Sequence, residues 1–155
     1  MYRAKQALSQ CSKEKKLISF ILFDVDNFKN FNDSYGHDAE DRILQDLSKR
    51  IHQLLDSHDL FGRYGGDEFA ILLTGLDEQE SVKNLEQMKV LIGEAELTGI
   101  PEKYFISMGI INLVPDKQTK LENLYVSCDK ALYEAKGKGK NCIISGKLKE
   151  MQLQY

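Results

Sequence analysis

Apolar residues along the chain occur in two patterns, largely apolar runs of strand length and stretches with helical spacing. The runs at residues 17–23, 69–73 and 104–111 predict buried strands, and the first of them is expected to be buried on both faces. Apolar residues three or four positions apart predict helices. These helices are expected at residues 1–16, just after Asp26, at 38–55, at 77–94 and at about 121–135. Shorter runs at 59–64 and 142–144 complete the order strand, helices, hairpin, helix, strand, helix, strand.

The helix predicted at residues 38–55 has the clearest amphipathic pattern. Gly36 and His37 break the chain ahead of it, so Asp38 is the expected N-cap. Four positions separate His37 from Asp41, which places both side chains on one face at the start of this helix. The buried face is expected to carry Ile43, Leu44, Leu47, Ile51 and Leu54.

Composition and charge exclude several classes of function. The 155 residues, 42% hydrophobic and 29% charged, fit one globular domain spanning residues 1–155. A net charge of −3 gives no general attraction to nucleic acid or to an anionic membrane surface. Phosphate binding therefore has to come from local lysines and bound metal.

The cysteines and the length of the apolar runs bear on the compartment. Cys11, Cys128 and Cys142 are odd in number, far apart and without metal-ligand spacing, which indicates reduced thiols in a cytoplasmic compartment. No apolar run approaches the roughly 18 residues of a membrane span, and no signal-peptide pattern is present. We therefore expect no membrane contact by this domain.

A glycine pair and two acids, Gly65, Gly66, Asp67 and Glu68, interrupt two extended runs and predict a hairpin tip. Glycines leave room for a ligand to approach the backbone, and the acids would then lie beside that ligand. An ordinary solvated turn, whose acids only keep the loop hydrated, is the alternative.

A second acidic turn favours the ligand-binding interpretation. The strongest predicted strand, at residues 17–23, runs directly into Asp24, Val25 and Asp26. No arginine lies beside these acids in the sequence. Two buried strands that both run into carboxylates indicate binding of divalent cations, in preference to salt bridges.

Three stretches of the sequence resemble the GGDEF family, the diguanylate cyclases. They are GGDEF at residues 65–69, FDVDNFKNFNDSYGH at 23–37 and ALYEAKGKGKN at 131–141. The order and spacing of the three match the family over nearly the whole chain. The resemblance implies an α/β (α+β) fold, the ferredoxin-like palm of nucleotidyl cyclases, with a central, mainly antiparallel sheet flanked by helices.

The resemblance also implies an activity, the condensation of two GTP molecules into cyclic di-GMP with release of pyrophosphate. Two Mg²⁺ or Mn²⁺ ions per active site would be held by Asp24, the Val25 carbonyl oxygen, Asp67 and Glu68. Asp67 and Glu68 would be the catalytic residues. Because one site cannot complete the cyclic product, catalysis would require a homodimer.

The family positions that hold the guanine base and ribose correspond to Asn32, His37 and Asp41. Phe28 corresponds to a family position near the base, and Lys29 to one near the phosphates. A carboxylate at Asp41 can accept hydrogen bonds from N1–H and the exocyclic amine of guanine, whereas adenine has an acceptor at N1. The resemblance therefore implies a preference for GTP over ATP. A core role is also open for the two phenylalanines in this stretch, and it is the favoured role for Phe31.

Lys136 and Lys140 correspond to family positions that bind the triphosphate, with Gly65 and Gly66 beside the substrate. Lys138 is better explained as a cation that complements the dipole at a helix C-terminus.

The sequence departs from the family pattern at three positions. Glu40 replaces the usual glycine before Asp41, where it would either disturb the pocket or point outward, and Lys140 replaces a more common arginine. Asp56 stands where many diguanylate cyclases have the arginine of a product-inhibition site, so no primary inhibition site is expected.

This sequence starts about where the usual opening stretch of the family ends, so we expect a trimmed N-terminus. A sensory or dimerising domain is expected upstream, and such a domain could also tether the protein to a membrane. A catalytically inactive GGDEF domain that binds GTP or cyclic di-GMP as a receptor is the main alternative function. A cyclase with a mixed adenine–guanine product and a palm-like fold without a nucleotide role are further alternatives.

Overall fold

The described part of the chain folds into a five-stranded sheet with helices on both faces. The computed structural model describes residues 2–65 and 67–148, and Met1, Gly66 and residues 149–155 lie outside the described residues. The strands are β1 (Ile18–Val25), β2 (Leu60–Gly65), β3 (Glu68–Thr74), β4 (Ile106–Leu113) and β5 (Ile143–Gly146). The helices are α1 (Tyr2–Glu14), α2 (Phe28–Tyr35), α3 (Ala39–Leu54), α4 (Glu78–Gly93) and α5 (Leu121–Gly137).

The sheet has the strand order β2-β3-β1-β4-β5. All neighbouring pairs are antiparallel except β4 and β5, which run parallel. This is the mainly antiparallel sheet that the resemblance implied. The central strand β1 places Asp24 opposite Glu68 on one side and opposite Ser107 on the other.

Successive side chains of β1 point to opposite faces of the sheet, as strand geometry requires. Ile21, Phe23 and Val25 pack with apolar residues of α2, α3 and α4, while Phe20 and Leu22 pack with α1 and α5. β1 is therefore buried on both faces, as its nearly continuous apolar run predicts. Asp24 follows the same alternation and lies on the face that α5 covers.

Helix α5 approaches the sheet closely at Gly109 of β4. A Cβ atom at Gly109 would lie 2.6 Å from the Cys128 carbonyl oxygen and 2.6 Å from the Leu132 backbone nitrogen. These distances leave no room for a side chain, so the glycine sets how near α5 lies to the strands. The close approach brings the polar residues of α5 within reach of the acids of β1 and β3.

Helix α3 confirms most of the prediction made for it and corrects two details. Ile43, Leu47 and Ile51 are buried, but Leu54 is 39% exposed at the last turn. Asp38 occupies the N-cap position of α3, yet its side chain makes no capping hydrogen bond. A complete capping box is present instead at α4, between Asp77 and Glu80.

Other boundaries and side chains follow the sequence closely. The strand predicted at 104–111 begins two residues later, at Ile106. Phe31 is buried in the core, as favoured from the sequence. Cys11, Cys128 and Cys142 are free thiols. Within the described residues, every helix is too short or too polar to cross a lipid bilayer.

Candidate active site

The acidic turns predicted from the sequence meet at one edge of the sheet. β1 ends and β3 begins at this edge, because the two strands are antiparallel. A cavity of about 290 Å³ opens there. Its lining includes eight residues that sequence analysis singled out, namely Asp24, Val25, Asp26, Phe28, Lys29, Asp67, Lys136 and Lys140.

One carboxylate oxygen of Asp24 accepts a hydrogen bond, and the other has no hydrogen-bond partner. Its Oδ2 accepts a hydrogen bond from Lys136 Nζ of α5, whereas its Oδ1 is buried and has no partner. Burial raises the pKa of Asp24 above its usual value, and Lys136 partly offsets that rise. The sequence favoured cation binding over salt bridges for these acids, and Asp24 nevertheless forms a salt bridge, with Lys136. The residue that supplies the cation lies 112 positions away in the sequence.

Glu68 repeats this arrangement on the neighbouring strand. Its Oε2 accepts a hydrogen bond of 3.1 Å from the Tyr125 hydroxyl of α5, and its Oε1 is buried without a partner. Burial is the main cause that raises the pKa of Glu68, and the hydrogen bond from Tyr125 lowers it. Two adjacent strands thus each present one unpartnered carboxylate oxygen.

Such oxygens fit a divalent cation. An unpartnered carboxylate oxygen in a buried place is costly, and oxygen ligands are those that Mg²⁺ and Mn²⁺ bind. Asp24 and Glu68 are direct neighbours across the strands, and Asp67 and Val25 line the adjacent cavity. The donor set therefore suits a metal ion at the position that the resemblance implied.

Asp26 has a different role from the one its sequence position suggested. Its Oδ1 accepts from the Ser107 hydroxyl at 2.6 Å, and its Oδ2 accepts from the Asn141 backbone N–H at 2.9 Å. Both oxygens are thus occupied, and Asp26 anchors the loop that follows α5. Lys140 and Asn141 in this loop have positive φ angles of 67° and 48°. The anchor holds this unfavourable backbone in place.

The two lysines of the triphosphate prediction both lie at the cavity, but each contacts a chain residue. Lys136 pairs with Asp24, and Lys140 Nζ donates to Asn27 Oδ1 at 2.6 Å. An incoming phosphate would have to replace these contacts. Asn27 itself was missed from the sequence.

The predicted guanine-binding residues lie outside the cavity lining, on α2 and at the start of α3. His37 and Asp41 are exposed to solvent. Asn32 Nδ2 donates to the Glu40 carboxylate, and the Glu40 backbone N–H donates to Asn32 Oδ1 at 3.1 Å. Of the two orientations left open for Glu40, its side chain therefore turns toward the predicted pocket. Phe28 is only 4% exposed and also belongs to the core.

The predicted hairpin is present, with Gly65 paired to Glu68. A Cβ atom at Gly65 would meet nothing within 4 Å, so the space above the backbone is open, as a bound substrate would need. Gly66 lies outside the described residues. The register between β2 and β3 shifts between Arg63 and Gly65, which marks a β-bulge at Tyr64.

Tyr125 is the main contact residue that sequence analysis missed. Its apolar ring fits the helical periodicity of α5, so the pattern alone marks it as a core residue. The contact with Glu68 spans 57 positions and depends on how α5 crosses the sheet.

Comparisons with known proteins agree with this geometry. The family model described as "Diguanylate cyclase, GGDEF domain" matches residues 2–142. The chain is 32% identical over 138 residues to diguanylate cyclase DosC of Escherichia coli K12, covering 88% of this chain and 30% of the relative. It is 30% identical over 142 residues to diguanylate cyclase A of Treponema denticola, covering 90% of this chain and 38% of the relative.

A solved structure, the active GGEEF domain of a diguanylate cyclase from Vibrio cholerae, superposes with a TM-score of 0.83 at 28% identity. The match covers 94% of this chain and 91% of that one. The chain thus spans about a third of the length of its curated relatives and nearly all of this solved domain. The family model matches residues 2–142, the acidic turns meet at one edge of the sheet, and the fold superposes on that of the solved GGEEF domain. The chain therefore belongs to the GGDEF domain family of diguanylate cyclases.

Proposed function

We propose that this chain is a catalytic domain that condenses two GTP molecules into cyclic di-GMP and two pyrophosphates. The observation that carries the proposal is the pair of buried, unpartnered oxygens, Asp24 Oδ1 and Glu68 Oε1, beside a cavity that Lys136 and Lys140 also line. Acids for metal and lysines for phosphate are the two groups that nucleotidyl transfer requires in one place.

We assign the metal ligands to Asp24, Val25, Asp67 and Glu68. Two Mg²⁺ or Mn²⁺ ions, when bound there, would neutralise the triphosphate and stabilise the attacking and leaving oxygens. Lys136 would exchange its contact with Asp24 for a phosphate oxygen, and that exchange would leave both oxygens of Asp24 free for the cation.

In the proposed reaction, Asp67 accepts the proton from the 3′-hydroxyl of a bound GTP. The 3′-oxygen attacks the α-phosphorus of the GTP on a second copy of the chain, and the bond to the β-phosphate breaks. The same exchange on the second copy closes the ring and releases the second pyrophosphate. Two-fold symmetry in a homodimer supplies both halves of this reaction.

For the base, we assign Asn32, His37 and Asp41 to guanine and ribose, with Phe28 beneath the base and Lys29 near the phosphates. Gly65 leaves the backbone accessible to the substrate, and we assign Gly66 to the substrate site from its place in the motif. The free thiols support a reducing compartment such as the cytoplasm.

The test is to incubate the purified chain with GTP and Mg²⁺, and separately with Mn²⁺, over a series of protein concentrations. We expect cyclic di-GMP by chromatography, with a specific activity that rises with protein concentration and is lost in Asp67→Ala. GTP binding without product at every concentration, also after fusion to a dimerising domain, would contradict the enzyme and favour the receptor. A mixed ATP and GTP incubation tests for the mixed cyclic dinucleotide.

A further inference from the structure

Tyr125 has a hydroxyl group whose position is fixed from two sides. The hydroxyl donates to Glu68 Oε2 at 3.1 Å. The ring stacks on Tyr64, with centroids 4.5 Å apart and planes 20° from parallel. Tyr64 lies at the β-bulge of β2, so the stacked rings connect α5 to β2 while the hydroxyl connects α5 to β3. A stacked pair of aromatic rings is a favourable arrangement, so it stabilises the observed orientation of both side chains.

The fixed hydroxyl limits how Glu68 can bind a cation. It donates to Oε2 and so orients the carboxylate, which leaves the buried Oε1 as the oxygen of Glu68 without a hydrogen-bond partner. A neutral phenol leaves the negative charge of Glu68 in place, unlike the ammonium group that faces Asp24. The contact with Tyr125 therefore adds no opposing charge to Glu68 and leaves one of its oxygens without a partner.

Single-oxygen binding discriminates between cations. Mg²⁺ requires near-octahedral geometry with short bonds, whereas Ca²⁺ takes six to eight oxygens and readily accepts both oxygens of one carboxylate. A carboxylate whose second oxygen is engaged by a hydrogen bond has to give up that bond to bind in the bidentate mode, so it favours the smaller ion. Mn²⁺ shares the preference for octahedral oxygen ligands.

We propose that Tyr125 is a positioning residue that confines Glu68 to one metal-binding oxygen and thereby favours Mg²⁺ over Ca²⁺. The inference rests on the proposed function, because it takes Glu68 as a metal ligand. It adds a residue of α5, remote in sequence from both acidic turns, to the determinants of metal choice.

The experiment uses Tyr125→Phe, which keeps the ring that stacks on Tyr64 and removes only the hydroxyl. Mn²⁺ binding is measured by electron paramagnetic resonance of the free ion, with 3′-deoxy-GTP present so that no reaction occurs. Mg²⁺ and Ca²⁺ are then titrated as competitors. Tyr133→Phe is the matched control, since Tyr133 lies on the same helix and is 79% exposed.

We expect Tyr125→Phe to weaken Mn²⁺ binding about threefold to tenfold, the net effect of one typical lost hydrogen bond. We also expect the ratio of Ca²⁺ to Mg²⁺ affinity to rise, while Tyr133→Phe leaves both quantities unchanged. Unchanged Mn²⁺ affinity, or a loss that is equal for Mg²⁺ and Ca²⁺, would overturn the inference.

The same measurements separate the inference from the proposed function. Mn²⁺ binding that depends on Tyr125 in a chain that forms no cyclic di-GMP would support the positioning role and contradict the cyclase. If the unaltered chain forms cyclic di-GMP and Tyr125→Phe leaves the metal preference unaltered, the cyclase is supported and the positioning role of Tyr125 is contradicted. No Mn²⁺ binding by the unaltered chain would overturn both.

Discussion

Two hydrogen bonds connect Glu40 with Asn32 at the junction of α2 and α3. The Asn32 amide donates to the Glu40 carboxylate and accepts from the Glu40 backbone N–H. The side chain proposed to bind guanine is thus already engaged by a neighbouring acid. A nucleotide must either share the Asn32 amide with Glu40 or displace its carboxylate.

Replacing Glu40 is therefore expected to improve substrate binding. In Glu40→Gly and Glu40→Ala, loss of the carboxylate frees Asn32 Nδ2 and removes a negative charge near the base, so the KM for GTP should fall about threefold to tenfold with little change in kcat. Steady-state kinetics measure both values. Glu78→Gln, at the start of α4, is the control. A higher KM in both variants would mean that Glu40 holds Asn32 in its productive orientation.

Asp41 should determine recognition of the guanine amine. Inosine triphosphate lacks that amine, so the unaltered chain should bind it more weakly than GTP by about 1–3 kcal/mol. In Asp41→Asn this difference should shrink, mainly because GTP binding weakens. Equilibrium binding of both nucleotides to both chains measures it. An equal preference for GTP in Asp41→Asn would assign base recognition to another residue.

The raised pKa of Glu68 predicts how stability depends on pH in the metal-free chain. The folded state holds the proton more tightly than the unfolded state, so the stabilising contribution is complete below the unfolded value of about 4.3 and is lost as pH rises through the folded value. Glu68→Gln cannot ionise and should lose less stability over this window. Urea unfolding with a chelator at several pH values tests this.

The exposed acid Glu134 provides the control for that experiment, because Glu134→Gln should follow the unaltered chain. Added Mg²⁺ should raise the stability of the unaltered chain at neutral pH and have less effect on Glu68→Gln. Parallel pH curves for Glu68→Gln and the unaltered chain would contradict the prediction.

Gly109 and Gly137 should respond oppositely to alanine. The new Cβ at Gly109 would meet the α5 backbone at 2.6 Å, so Gly109→Ala should destabilise the fold by about 1–3 kcal/mol and shift α5 away from the acids. A Cβ at Gly137, within α5, would meet nothing within 4 Å, and Gly137→Ala should stabilise by about 0.5–1 kcal/mol. Urea unfolding measures both. Equal effects would mean that α5 is not held by this contact.

Cyclic di-GMP should not inhibit through the site near Asp56. Asp56 is exposed, and its backbone N–H donates to Asp59 Oδ2 at 2.9 Å. The site therefore presents two carboxylates, whereas binding of a phosphate requires a cation. Rates should be unchanged at product concentrations well above the KM for GTP, and Asp56→Arg should introduce inhibition. Strong inhibition of the unaltered chain would point to another binding surface.

The sequence by itself determined the elements and their order. A nearly continuous apolar run predicts a strand buried on both faces, and β1 is that strand, because local hydrophobicity is set by adjacent residues. The acidic turns at Asp24 and at Asp67 could also be predicted from adjacent residues, because each directly adjoins an apolar run. The resemblance to the GGDEF family rests on short motifs and supplied the topology that periodicity could not select.

The tertiary structure alone decided which group each carboxylate faces. Asp26 stands two residues from Asp24 in the same turn, yet it anchors the loop after α5 while Asp24 meets Lys136. Tyr125 fits a core pattern and still places its hydroxyl on Glu68. These contacts depend on the strand pairing and on the close approach of α5 at Gly109. The sequence alone could not predict them, because the periodicity of an element does not encode its distance from another element far away in the chain.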